Sequence, residues 1–254
     1  MTKQSANHWN SVYTAKPPDA VSWYLPHLAT SLQLIKRVAP YDPAIIDVGG
    51  GESTLVDDLL ATGYRDLTVL DISAEAINVS KKRFGVLAQY VNWRVDDITT
   101  ANLPRNYYDV WHDRAVFHFL TREEDRRAYV ERCAYSMKEG GHVIVATFGP
   151  EGPKTCSGLE VVRYDGDELH SEFGKQFKLL KSRTEVHKTP WGADQQFLYC
   201  LCRIEAMVRR FASGLGIFTI TAMGATSFNG RLILRRESFL FQRKSVERDL
   251  RFAA

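Results

Sequence analysis

The stretch "AIIDVGGGEST", residues 44–54, decides how the rest of this chain is read. Apolar residues suited to burial surround one aspartate, and three glycines follow in a row. Glycine carries a larger entropy cost on folding than any other residue. A glycine run directly after a buried strand therefore marks a spot where something needs a bare backbone. Residues 53–62 (STLVDDLLAT) then place apolar side chains at Leu55, Val56, Leu59 and Leu60, which is helical spacing. Ser53 or Thr54 suits the N-cap, and Gly63 the C-terminus.

Working outward, the same alternation repeats. Strands are expected at 44–49, 66–73, 91–98, within 107–116 and at 142–148. Helices are expected at 74–84, capped by Ser73, at 122–138, ending at Gly140-Gly141, and at 165–173. Residues 177–189 and 195–204, separated by "PWGADQ", read as a closing hairpin with an antiparallel edge strand. Strands alternating with helices predict an α/β fold: a Rossmann-like, doubly wound, mostly parallel seven-stranded sheet with an antiparallel C-terminal hairpin strand. Three parts follow: an aromatic N-terminal lid over 1–40 with Trp9, Tyr13, Trp23 and Tyr24, the main domain over 41–204, and a basic extension over 205–254.

Composition sets bounds on function. The 254 residues are 44% hydrophobic and 25% charged, as in ordinary globular proteins. Residues 205–254 hold nine Lys/Arg against four Asp/Glu, while the other 204 hold 24 against 26. The basic character belongs to the tail, so the main domain is not expected to bind nucleic acid. No apolar run approaches the roughly 18–20 residues of a membrane span, and no signal peptide is visible. The four cysteines show no C-x-x-C pair and read as buried free thiols, with Cys200 and Cys202 on one strand face. A cytoplasmic protein is expected, with no metal site.

The glycine turn lies at the carboxyl edge of the expected sheet, where ligands of open α/β folds bind. Asp71 and Ile72 end the second strand, where a carboxylate can accept from two ribose hydroxyls. Asp97 and Ile98, at the third strand end, suit an adenine edge and face. The dinucleotide pattern G-x-G-x-x-G is not met: no glycine stands at position 54, and Glu52 puts an anion where a diphosphate would lie. Asp47 can instead face an ammonium group, which favours an amino-acid sulfonium.

These residues carry a resemblance. Asp47 through Gly49, Gly50 and Gly51 resembles the first motif of class I S-adenosylmethionine-dependent methyltransferases, D-x-G-x-G. Asp71, Asp97-Ile98 and "YDVWHDRAVFHFL" (108–120) match later motifs, over roughly residues 40–204. The segment "WHDRAVFHF" resembles small protein-lysine methyltransferases, whereas "TFGPEGPKTCSG" (147–158) is similar to small-molecule thiol and heteroatom methyltransferases. The resemblance implies S-adenosylmethionine as cofactor, S-adenosylhomocysteine as product, and methyl transfer to a small nucleophile. A protein lysine as acceptor, or a cofactor-binding module without turnover, are the alternatives. Asp113, His112 and His118 are the candidate catalytic residues; Trp23, Tyr24 and Arg163 are the candidate acceptor-binding residues.

Overall fold

The computed structural model describes residues 3–205, with side chains from residue 5. The chain opens with helices α1 (Lys3–Ala15) and α2 (Ala29–Val38). The alternating part then runs β1 (Ala44–Val48), α3 (Leu55–Thr62), β2 (Asp66–Asp71), α4 (Ala74–Phe84), β3 (Val91–Val95), β4 (Tyr108–Arg114), α5 (Glu123–Ser136) and β5 (Met137–Phe148). A small hairpin, β6 (Thr155–Cys156) and β7 (Leu159–Glu160), precedes α6 (Gly166–Phe173), β8 (Phe177–Lys188) and β9 (Asp194–Ile204).

Seven strands form one sheet in the order β3-β2-β1-β4-β5-β9-β8. The chain builds outward from β1 to β3, then crosses to β4 on the other side of β1. This reversal opens a crevice at the carboxyl ends of β1 and β4, where ligands bind in such sheets. Register places Asp47 opposite His112 and Val48 opposite Asp113.

Strand alternation gives each sheet face its own core. Ile46, Val48, Trp111, Val143, Val145, Cys200 and Cys202 pack on one side. Ile45, Val110, Ile144, Ala146, Tyr199 and Leu201 pack on the other with Leu55, Val56 and Leu59 of α3. The four cysteines are free and buried, as expected.

The closing hairpin supplies the antiparallel edge strand, as expected: that strand is β8, and it is preceded in the sheet by β9, which lies between β5 and β8. The near-continuous apolar run of β9 is buried on both faces, whereas β8 alternates and takes the edge. Helix α5 ends at Ser136 rather than at the glycine pair, because buried Met137 already pairs with Tyr108. Gly140 and Gly141 therefore lie inside β5. At α3, Thr54 is the N-cap residue but makes no capping bond; its hydroxyl donates to Leu25 O at 2.9 Å, and Ser53 Oγ accepts from Leu55 N. Gly63 (φ +107°) ends α3 and Ser73 caps α4, both as expected. Asn229-Gly230, a dipeptide whose sequence is a hairpin-turn signal, and the rest of the basic extension lie outside the described residues.

Candidate cofactor and acceptor cleft

Two adjoining clefts occupy the crevice, of about 560 and 490 Å³, and share Tyr13, Trp23, Gly49 and Arg114. The first is lined by the ends of β1 to β4, with Leu70, Asp71, Ile72, Asp96 and Ile98. The second holds Asp47, Gly50, Glu52, His112 and Tyr24.

The glycine turn explains the opening of the cleft. Gly49 has φ +71°, and a Cβ there would sit 2.0 Å from Val116 Cγ2. A Cβ on Gly50 would meet Asp47 Oδ2 at 2.3 Å. Side chains at these positions would thus strike the next strand end or the aspartate.

Around this turn stand three buried carboxylates in different states. Asp47 Oδ1 faces His112 Nδ1 at 2.7 Å, and His112 Nε2 meets Ser31 Oγ at 2.9 Å. That relay fixes the aspartate and leaves its Oδ2 buried without a protein partner. Both Glu52 oxygens are likewise buried and unpartnered. Burial pushes the Glu52 carboxyl up to about 7, with the Arg83 cation opposing. Asp71 accepts from Gly51 N at 3.1 Å and from Ser73 N at 2.8 Å. Burial still raises it to about 6, because these amide bonds offset only part of the desolvation.

From the other side comes α1. Trp9 and Trp23 meet edge-to-face at 6.0 Å, and Tyr13 packs on both rings. Asn10 Oδ1 accepts from Ser73 Oγ at 2.7 Å and fixes α1 to the start of α4. Burial, and then the nearby Asp71 and Glu52 charges, hold the Tyr13 phenol well above its usual range, so it stays a donor.

Several expected site residues sit elsewhere. Asp113 is fully buried and does not face the cleft. Its oxygens accept from Val116 N (2.8 Å), Phe117 N (3.1 Å) and Tyr129 Oη (2.7 Å), so it holds the turn after β4. Burial raises its carboxyl to about 6. His118 lies buried in a short 3₁₀ turn, Phe117–Phe119, and its Nδ1 accepts from Phe148 N. Burial drives it down to about 3, so it is a neutral core imidazole. Arg163 donates to Pro150 O (2.6 Å) and Gly152 O (3.3 Å) and braces the loop after β5. Asp97 Oδ1 accepts from the amide and hydroxyl of Thr99; of this pair it is Asp96 that lines the first cleft, its oxygens accepting from Arg94 Nη2 at 3.1 Å and Asp97 N at 3.0 Å. His112 does border the cleft, but both its nitrogens are engaged.

Arg114 is not among the candidates named from the sequence, although it directly follows Asp113. It lines both clefts, where strand alternation turns it away from Asp113.

The sheet order and the acid-lined crevice define a protein of the Rossmann-like class, built to hold a nucleoside at strand ends. Residues 46–143 match the "Methyltransferase domain" family model, and the fold is that of class I S-adenosylmethionine-dependent methyltransferases. It is 27% identical over 144 residues to an eEF1A lysine and N-terminal methyltransferase homolog of Drosophila melanogaster, covering 54% of this chain and 21% of that protein. It is 31% identical over 110 residues to the ubiquinone biosynthesis O-methyltransferase of Serratia proteamaculans, covering 42% and 43%. The chain therefore spans less than half the length of either relative. Its fold is also that of 1,6-didemethyltoxoflavin-N1-methyltransferase of Burkholderia thailandensis, solved with S-adenosylhomocysteine: TM-score 0.57, 16% identity, 80% and 85% coverage.

Proposed function

We propose that this protein transfers a methyl group from S-adenosylmethionine to a small nucleophilic acceptor. The observation that carries the cofactor reading is the set of orphaned oxygens beside the glycine turn: Asp47 Oδ2 and both Glu52 oxygens. Buried polar atoms are normally partnered, and acceptors without donors suit a cationic ammonium. When bound, S-adenosylmethionine supplies an electrophilic methyl on a sulfonium.

The chain's residues supply binding, orientation and exclusion of water. Gly49, Gly50 and Gly51 give the backbone approach for the amino-acid portion, with Asp47 and Glu52 facing its ammonium. Asp71 and Ile72 take the ribose; Asp96 and Ile98 take the adenine side. Trp9, Tyr13 and Trp23 form the lid, and their aromatic faces suit a sulfonium cation. Trp23 and Tyr24 wall the acceptor side.

Calorimetry with S-adenosylhomocysteine and with NAD tests the cofactor; binding of NAD alone overturns it. Radiolabelled methyl transfer into lysate, split into small-molecule and protein fractions, tests the acceptor. Label in small molecules is expected. Label on protein lysine supports the second reading, which the likeness to the eEF1A lysine methyltransferases favours.

A further inference from the structure

Charge is segregated across the crevice. Asp47, Glu52, Asp71 and Asp96 come from the β1-to-β3 side and its glycine turn. Arg114 comes from the end of β4. Its guanidinium is held by three contacts: Nε donates to Tyr199 Oη at 3.1 Å, Nη1 donates to Trp23 O at 3.0 Å, and Cζ stands 4.1 Å over the Phe197 ring. None of these partners carries a charge. Nη2 is buried and has no hydrogen-bond partner. Among the described residues, no carboxylate forms an ion pair with Arg114.

A cation held this way has an unanswered demand. A guanidinium next to a cleft normally finds a carboxylate, since leaving a buried charged donor unmet is costly. Four acids border the same clefts, yet the arginine is bonded instead to the backbone of Trp23 and to Tyr199 of β9. The arrangement keeps Nη2 free for something that enters.

The residues expected from the sequence to be catalytic are also spent or lie outside the clefts. Asp113 caps a turn, His112 has both nitrogens engaged, and His118 is a core imidazole outside the cleft-lining set. Burial lowers His187 and His118, and the Arg114 charge lowers both further, so neither adds a second positive charge.

From this geometry we infer that the methyl acceptor is an anion, whose carboxylate or thiolate is bound by Arg114 Nη2. The inference rests on the methyltransferase reading above and names the substrate class of that site. An anionic acceptor needs no base. Its lone pair forms the bond to the methyl carbon, the carbon–sulfur bond breaks, and that electron pair returns to sulfur. The acceptor's negative charge and the sulfonium's positive charge cancel, and no proton has to leave. A lysine ammonium would need a base and would be repelled by Arg114.

The test uses the full chain saturated with S-adenosylhomocysteine and reads the fluorescence of the cleft tryptophans. Benzoate and thiophenolate are titrated against neutral benzamide and cationic benzylamine. Saturable binding of the anions only is expected. Arg114→Gln should weaken it at least about tenfold, as loss of a charged hydrogen bond implies, and Arg114→Lys should restore part of it. Equal binding of benzamide, preference for benzylamine, no saturable anion binding, or an unchanged Arg114→Gln variant each overturn the inference. S-adenosylhomocysteine binding to Arg114→Gln, measured first, shows that the variant is folded. If the wild-type chain fails to bind S-adenosylhomocysteine at all, the methyltransferase reading falls instead.

Discussion

Asp71 and Glu52 differ in one respect that decides what their loss does. Asp71 has two backbone donors of its own, so its carboxylate is oriented before any ligand arrives. Replacing it by alanine strands those amides and removes the ribose acceptors. Asp71→Ala should weaken S-adenosylhomocysteine binding by about 1–3 kcal/mol, the cost of unmet buried donors; calorimetry reads this, and unchanged affinity would refute the ribose role. Glu52 has no donor at all. In the free protein at about pH 8 its charge is a burden, whereas at about pH 5.5 it is neutral. Glu52→Gln should therefore raise the melting temperature of the free protein at the higher pH and hardly change it at the lower. The same substitution should weaken cofactor binding, since an amide cannot answer an ammonium as a carboxylate does. A variant less stable at both pH values would argue against a buried unpaired charge.

At the scale of the element, the turn after β4 gives the sharpest contrast between structural and functional aspartates. Asp113 serves three buried donors, two from the backbone of the turn and one from Tyr129 of α5. Asp113→Ala strands all three, and one such group costs about 1–3 kcal/mol. The variant should lose several kcal/mol of stability in denaturant titration, while molecules that remain folded keep their cofactor affinity. Normal stability with lost turnover would restore Asp113 to the acceptor site. This turn also shows what the sequence could reveal. The alternation of apolar runs, the glycine turn and the acidic strand ends were legible because each obeys a local period or a local steric need. β9 was legible as a strand, but its place inside the sheet depends on how much of each hairpin arm is buried. Asp97 and Asp96 are neighbours with equivalent chemistry, and only the folded chain separates them: Asp97 bonds Thr99, while Asp96 lines the cleft. Arg114 was not legible as a cleft residue because its neighbour Asp113 carries the same local signal, and only the strand's alternation sends the two to opposite faces.

On the scale of the molecule, binding has been built at the expense of the unliganded fold. Glu52, Asp71 and Asp113 all have raised carboxyls, to about 7, 6 and 6, with burial the leading cause. A group whose folded value exceeds its unfolded one binds more protons when folded, so stability falls as pH rises through that window. His118, His142 and His187 act in the opposite sense. Burial lowers them, so below about pH 6.5 the unfolded chain takes up protons that the folded chain refuses. Between about pH 8 and 6.5 Glu52 is the first of these three raised carboxyls to take up its proton, and acidification should raise the melting temperature of the free protein. Below about pH 6.5 the histidines oppose the remaining carboxyls, so the rise should flatten or reverse. Cofactor affinity should run the other way. An ammonium beside Glu52 favours the charged carboxylate, so binding near neutral pH should release protons and weaken on acidification. Calorimetry in buffers of different ionisation enthalpy measures that release directly. Proton uptake on binding, or a melting temperature that falls steadily from pH 8 downward, would mean that the orphaned carboxylates are not what the cofactor meets.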